Sequence, residues 1–90
     1  MAERPYFKVV EDEEFLAEAR QEFGDARIWD DVRLVIETDI VRDPGSFPYF
    51  PGTNFHFAPL NVVPPRIIIF QIDFDEEIVY YRGLRKTGYG

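Results

Sequence analysis

Cysteine is missing from all 90 residues, histidine occurs once, and the six glycines are scattered with no glycine-rich run. Without thiols there is no disulfide framework, no thiolate metal site and no cysteine nucleophile, so a reducing, cytoplasmic setting is expected. The lone His56 has no second histidine with which to share a metal and no partner spacing that suggests a Ser-His-Asp triad. A surface or strand-edge position is expected for it. The glycines match neither the dinucleotide fingerprint nor a phosphate loop, and neither cofactor nor metal is expected. The longest aliphatic-aromatic run, Ile67 to Phe70, is far too short to span a bilayer, and the opening MAERPYF lacks the apolar segment of a secretory signal.

What is present is apolar and acidic together. Hydrophobic residues make up 46% of the chain and aromatics 17%, too much for a disordered polypeptide even at a formal net charge of -7. A single domain over residues 1–90 is expected, burying about 60–65% of its unfolded surface. The charge is unevenly placed: residues 1–31 hold four bases and ten acids, residues 32–81 three and seven, and residues 82–90 three bases and no acid. Such asymmetry marks either a partner surface or a device for solubility.

Along the chain, Pro5 to Val10 alternate loosely as a first strand. In EDEEFLAEARQEF the residues Phe15, Ala19 and Phe23 recur every four positions, with Asp12 as N-cap, Glu13 and Glu14 in the first turn and Gly24 as the stop. Asp25 then caps a second helix. Ile28, Val32, Val35, Ile36 and Ile40 fit a helical stripe, while Val32, Leu34, Ile36, Thr38 and Ile40 also alternate as a strand would. The stretch from Asp25 to Asp43 is longer than an ordinary strand of about 5–6 residues, and Arg42 followed by Pro44-Gly45 closes a helix well. Helix is the reading adopted.

Residues 43–65 hold six of the seven prolines and five aromatics. An irregular crossing to about Gly52 is expected, then an edge strand TNFHFA with Phe55 and Phe57 facing the core, then a turn through Pro59 and Pro64-Pro65. The segment PPRIIIFQIDFDEEIVYYRGLRKTG reads as a hairpin: a central strand from Arg66, a turn over Phe74 to Glu77, and a return strand in which Ile78, Tyr80 and Leu84 alternate with Val79, Tyr81 and Arg85. Asp73, Asp75 and Glu77 resemble the start of a calcium loop, but Ile78 and Leu84 occupy the positions that need glycine and glutamate. The expected fold is α+β, in the order β-α-α-β-β-β, with a helical hairpin packed on a mainly antiparallel four-stranded sheet. In such a hairpin the start of one strand lies beside the end of the next, so Arg66 comes near Arg82, Arg85 and Lys86, and Tyr89 follows them. Arginines so gathered could fork onto a phosphate or an acidic partner, or simply balance nearby carboxylates.

The element order, DIVRDPGSFP leaving the second helix, and PPRIIIFQIDFDEEIVYYRGLRK resemble the RelE/ParE superfamily of type II toxin–antitoxin toxins over nearly the full length. The resemblance implies a toxin neutralised by an antitoxin protein. It acts either as a ribosome-dependent mRNA endoribonuclease, as RelE-like members do, or as a poison of DNA gyrase, as ParE-like members do. Carried over by position, it makes Arg66, Arg85, Lys86 and Tyr89 the catalytic candidates, stabilising phosphorane charge and assisting proton transfer. Arg82 and His56 become candidates for binding RNA or a partner. The lysines that RelE-like enzymes carry near the second strand have no counterpart in GTNFHFA, where only His56 could serve, and the acidic balance is unlike a ribosome-binding nuclease. A non-enzymatic acidic protein-binding module is the alternative expectation.

Overall fold

Asp12 opens the first helix because its side chain accepts a hydrogen bond from the Phe15 amide at 2.8 Å, closing one of the four donors a helix start leaves free. The computed structural model describes residues 6–87. Strand β1 spans Lys8–Glu11, helix α1 Glu13–Phe23 and helix α2 Ala26–Arg42. Gly24 sits in the left-handed region at φ 78°, where a side chain is strained, and its amide bonds Arg20 O at 2.7 Å to end α1. Asp25 caps α2 by accepting from the Arg27 amide at 2.8 Å. The helical reading of α2 holds, but its buried stripe is Trp29, Val32, Ile36 and Ile40. Ile28 and Val35, expected on that stripe, lie on the exposed side with Leu34. Apolar residues on both sides of this helix made its periodicity ambiguous.

After a short 3₁₀ turn at Pro44–Ser46 come β2 at His56–Leu60, β3 at Arg66–Asp73 and β4 at Ile78–Lys86. The sheet order is β1-β4-β3-β2, with β1 parallel to β4 and the other two pairings antiparallel. This is the expected α+β arrangement. Both helices cover one face, where Phe15, Trp29, Ile40, Ala58, Ile68, Phe70, Val79, Tyr81 and Leu84 form the core. Phe15 and Trp29 pack edge to face at 5.5 Å. On the same side, the Tyr81 hydroxyl donates to Glu37 at 2.8 Å and Trp29 Nε1 to Glu11 at 2.8 Å, while Arg33 Nη1 reaches both carboxylates at 3.3 Å. These bonds tie α2 to β1 and β4 and leave the indole and phenol donors satisfied.

Two expectations about the strands are corrected. The strand expected from Thr53 begins only at His56, and in it His56, Ala58 and Leu60 face the core; Phe57, and Phe55 just before the strand, face the other way. Pro59 lies within β2, opposite Ile67, and is tolerated because β2 is an edge strand. In β4 the even alternation is broken. Ile69 pairs with Gly83 and Phe70 with Tyr81, so Arg82 is an extra residue, a β-bulge. Val79, Tyr81 and Leu84 are therefore the side chains of β4 that face the core.

Ile68, fully buried in the centre of the sheet, is expected to lower unfolding free energy by about 2–5 kcal/mol when changed to Ala. Leu34→Ala, on the exposed side of α2, should stay within about 0.5 kcal/mol. Urea denaturation of the two variants checks both values.

Candidate functional site

Opposite the helices, the sheet presents an uncovered face, and the chain before β2 folds onto its margin. Phe50, Pro51, Gly52 and Thr53 form a tight turn: the Thr53 amide donates to Phe50 O at 3.1 Å and Gly52 takes φ 79°. Proline second and left-handed glycine third is the pattern of a type II turn. The Thr53 hydroxyl secures it, donating to Phe50 O at 2.8 Å and accepting from the Phe55 amide at 3.0 Å. Tyr49 bridges to His56, the Phe50 amide donates to Phe55 O at 2.7 Å, and the Phe57 amide to Pro48 O at 3.0 Å. Period two in this short ladder puts Tyr49 and His56 on the helix side and Phe50, Phe55 and Phe57 on the open side.

The bulge completes the site. Three residues apart, Arg82 and Arg85 would point to opposite faces of a regular strand. The extra residue removes that parity, and both join the open face. Arg82 Nε donates to Gln71 at 3.1 Å and its guanidinium lies 4.9 Å over the Tyr80 ring, which fixes it on that side. Arg85 Nη1 donates to Leu84 O at 2.9 Å, and its side chain is 58% exposed. With Gly83 between them, the two arginines form one wall of a recess of about 150 Å³, whose other wall is Phe50, Thr53, Phe55 and Ile69. On their far side lies an acidic recess of about 370 Å³ lined by Asp12, Glu14, Phe15 and Glu18. Asp12 approaches Arg82 at 3.7 Å and Glu18 approaches Arg85 at 3.8 Å. Ion pairs this long and this exposed are worth about 0–1 kcal/mol, so an incoming anion can replace either carboxylate.

The remaining sequence candidates are placed elsewhere. β3 and β4 do run side by side and antiparallel, but the register sets Arg66 opposite Lys86 and Ile67 opposite Arg85. The expected cationic cluster is thus divided between the two faces. Arg66 is turned toward α1: Nε donates to Glu22 at 2.8 Å, Nη1 to Pro64 O at 3.2 Å, and the guanidinium stacks over Phe23 at 5.1 Å, leaving the side chain 10% exposed. Lys86 is exposed beside it. His56 lies on the edge strand as expected but is not at the surface. It is 5% exposed, stacked on Phe70 at 5.8 Å and tilted against Tyr49 at 4.3 Å, and its Nδ1 has no hydrogen-bond partner among the described residues. Burial pushes its pKa down. Tyr89 lies outside the described residues. Among the described residues no cluster of His, Cys, Asp or Glu could hold a metal ion, and no helix is long and apolar enough to cross a membrane.

Sequence reasoning missed the aromatic wall, and it gathered Arg82 with Arg85 without the bulge that sets both on one face apart from Arg66. The Pro-Gly-Thr turn after Phe50 was the available signal for the first, and Gly83 inside a strand for the second.

Arg66→Ala should unfold at a lower temperature, losing a charged hydrogen bond worth about 1.5–3 kcal/mol, and Arg66→Lys should recover only part of it; thermal melts decide. His56 carries a pH signature. Because its folded pKa is depressed, the stability it contributes is full above its unfolded pKa near about 6.5 and is lost as pH falls through the folded value. The loss of stability as pH falls below about 6.5 should therefore be shallower in His56→Phe than in the unaltered chain, measured by urea unfolding at each pH.

A scan against protein-family models finds no match to this sequence, and neither does a search of curated proteins. Solved structures do match. One is a chain of the RelBE2 toxin–antitoxin complex of Mycobacterium tuberculosis, at a TM-score of 0.65 and 15% identity, covering 93% of this chain and all of that one. Another is an arginine-to-alanine double mutant of the Escherichia coli toxin RelE in the free state, at a TM-score of 0.64 and 16% identity, covering 90% of this chain and 83% of that one. At such identities the likeness is one of architecture: two helices on a four-stranded mixed sheet, the fold of RelE-type toxins.

Proposed function

We propose, on the premise of a RelE-type toxin fold, that the chain is the toxin of a type II toxin–antitoxin pair and acts on RNA at the ribosome. The observation that carries this reading is the placement of Arg82 and Arg85 on one uncovered face beside Phe50 and Phe55. Guanidinium groups fork onto phosphate oxygens, and aromatic rings accept bases, so the two together suit single-stranded RNA better than the flat surface of a protein such as gyrase. In a cleavage step, attack of a ribose 2′-hydroxyl on the adjacent phosphorus builds negative charge on the phosphoryl oxygens. Arg82 and Arg85 would stabilise it, and the weak pairing with Asp12 and Glu18 leaves most of their donors free to do so. Arg66 supports the strand beneath rather than the reacting atoms, since Glu22 and Phe23 already hold it. An antitoxin would cover the open face and its arginines, as the toxin–antitoxin complex among the matched structures suggests by analogy of fold.

A second reading has its own observation. The helices carry most of the acid surplus, and the sequence has a net charge of -7, which suits a non-enzymatic module that engages a basic protein.

Inducing the chain in cells without an antitoxin should arrest growth and translation, and Arg82→Ala with Arg85→Ala should relieve both. Normal growth despite accumulation of the unaltered protein would sink the toxin reading. Arrest with continued translation and lost DNA supercoiling would move the target to gyrase.

A further inference from the structure

We infer that the recess between Phe50, Phe55 and Ile69 is a nucleobase subsite, filled by the base of a nucleotide whose phosphate rests on Arg82 and Arg85. This inference rests on the proposed RNA reading and adds to it the part of the substrate that the open face recognises. The recess has a volume of about 150 Å³, room for roughly five waters at about 30 Å³ each. A drug-sized ligand or cofactor needs about 300–1,000 Å³, so only a fragment such as one planar ring system enters. Ribose and phosphate stay outside, where the exposed Arg85 and the stacked Arg82 stand.

The walls match that division of labour. Phe50 is held by the type II turn and by its edge-to-face contact with Phe57 at 6.1 Å, and Phe55 by its ladder bond to Phe50. Both are half-buried, which leaves ring surface open to stacking. Ile69 is buried beneath them and closes the floor. Gly83 lies directly beside the cationic wall: a Cβ there would meet Arg85 Nη1 at 3.4 Å and Glu18 Oε1 at 3.5 Å, and Arg85 Nη1 lies along the strand and donates to Leu84 O. Thr53 Oγ1 is already engaged with Phe50 O and the Phe55 amide, so no free side-chain hydroxyl in the recess selects one base over another. Stacking without an edge-reading donor predicts tolerance of base identity.

The test measures binding of the full chain at low salt to a short fluorescent single-stranded RNA and to the matching abasic ribose-phosphate oligomer. The unaltered chain should bind the base-bearing oligomer tighter by roughly five- to a hundredfold, the range expected for one stacked base. Phe50→Leu and Phe55→Leu keep apolar volume but lose the ring, and should erase that preference while leaving abasic affinity unchanged; thermal melts confirm that they fold. Arg82→Ala with Arg85→Ala should weaken both oligomers together. Equal binding of both oligomers by the unaltered chain, or a preference that survives Phe55→Leu, overturns the subsite and leaves the RNA reading standing. Binding of neither oligomer likewise overturns the subsite, and the RNA reading at the ribosome then stands or falls on the growth and translation test.

Discussion

Between Ile69 and Phe70 the β3 ladder advances one residue while β4 advances two, and that single mismatch sets the face of every side chain that follows. Before it, Val79 and Tyr81 point into the helical layer; after it, Leu84 does. The core stays continuous only because the strand skips Arg82. The same skip brings Arg82 and Arg85 to one face, although an odd spacing in a regular strand forbids it. Core continuity and the cationic pair are two results of one irregularity.

The helical layer and the open face also communicate through charge. α1 runs beside the outer edge of β4, where Glu18 accepts a hydrogen bond from the Leu84 amide at 3.2 Å beyond the point at which β1 has left the sheet. That contact satisfies a backbone donor on an otherwise unpaired edge. It also places a carboxylate within reach of Arg85. Asp12 has the same double part, capping α1 and approaching Arg82. The acids of α1 therefore serve helix and edge first, and their hold on the arginines is loose enough for exchange with a stronger anion.

Arg66 shows why neighbours in the ladder need not share a face. It opens β3 beside the end of β4, as antiparallel pairing requires, yet the pleat turns it under the sheet to Glu22 and Phe23. His56 behaves alike. One residue along the chain from both Phe55 and Phe57, it is packed between Tyr49 and Phe70 and separated from the arginines by the thickness of the sheet. Both residues sit on the strands where they are expected, while the direction each side chain takes belongs to this chain's own packing.

Local chemistry was enough to determine the helix ends, the hairpin turn and the order of elements. Asp12, Gly24 and Asp25 act on backbone groups a few residues away, and such short-range signals survive in one dimension. The face of Phe55 and Phe57, the parting of Arg66 from Arg85 and the pairing of Arg82 with Arg85 were decided only by tertiary structure. Each depends on register across strands, and a period of two inverts a side chain whenever the pairing slips by one residue. No pattern within a single strand records that slip, because it is fixed by which neighbour each residue meets.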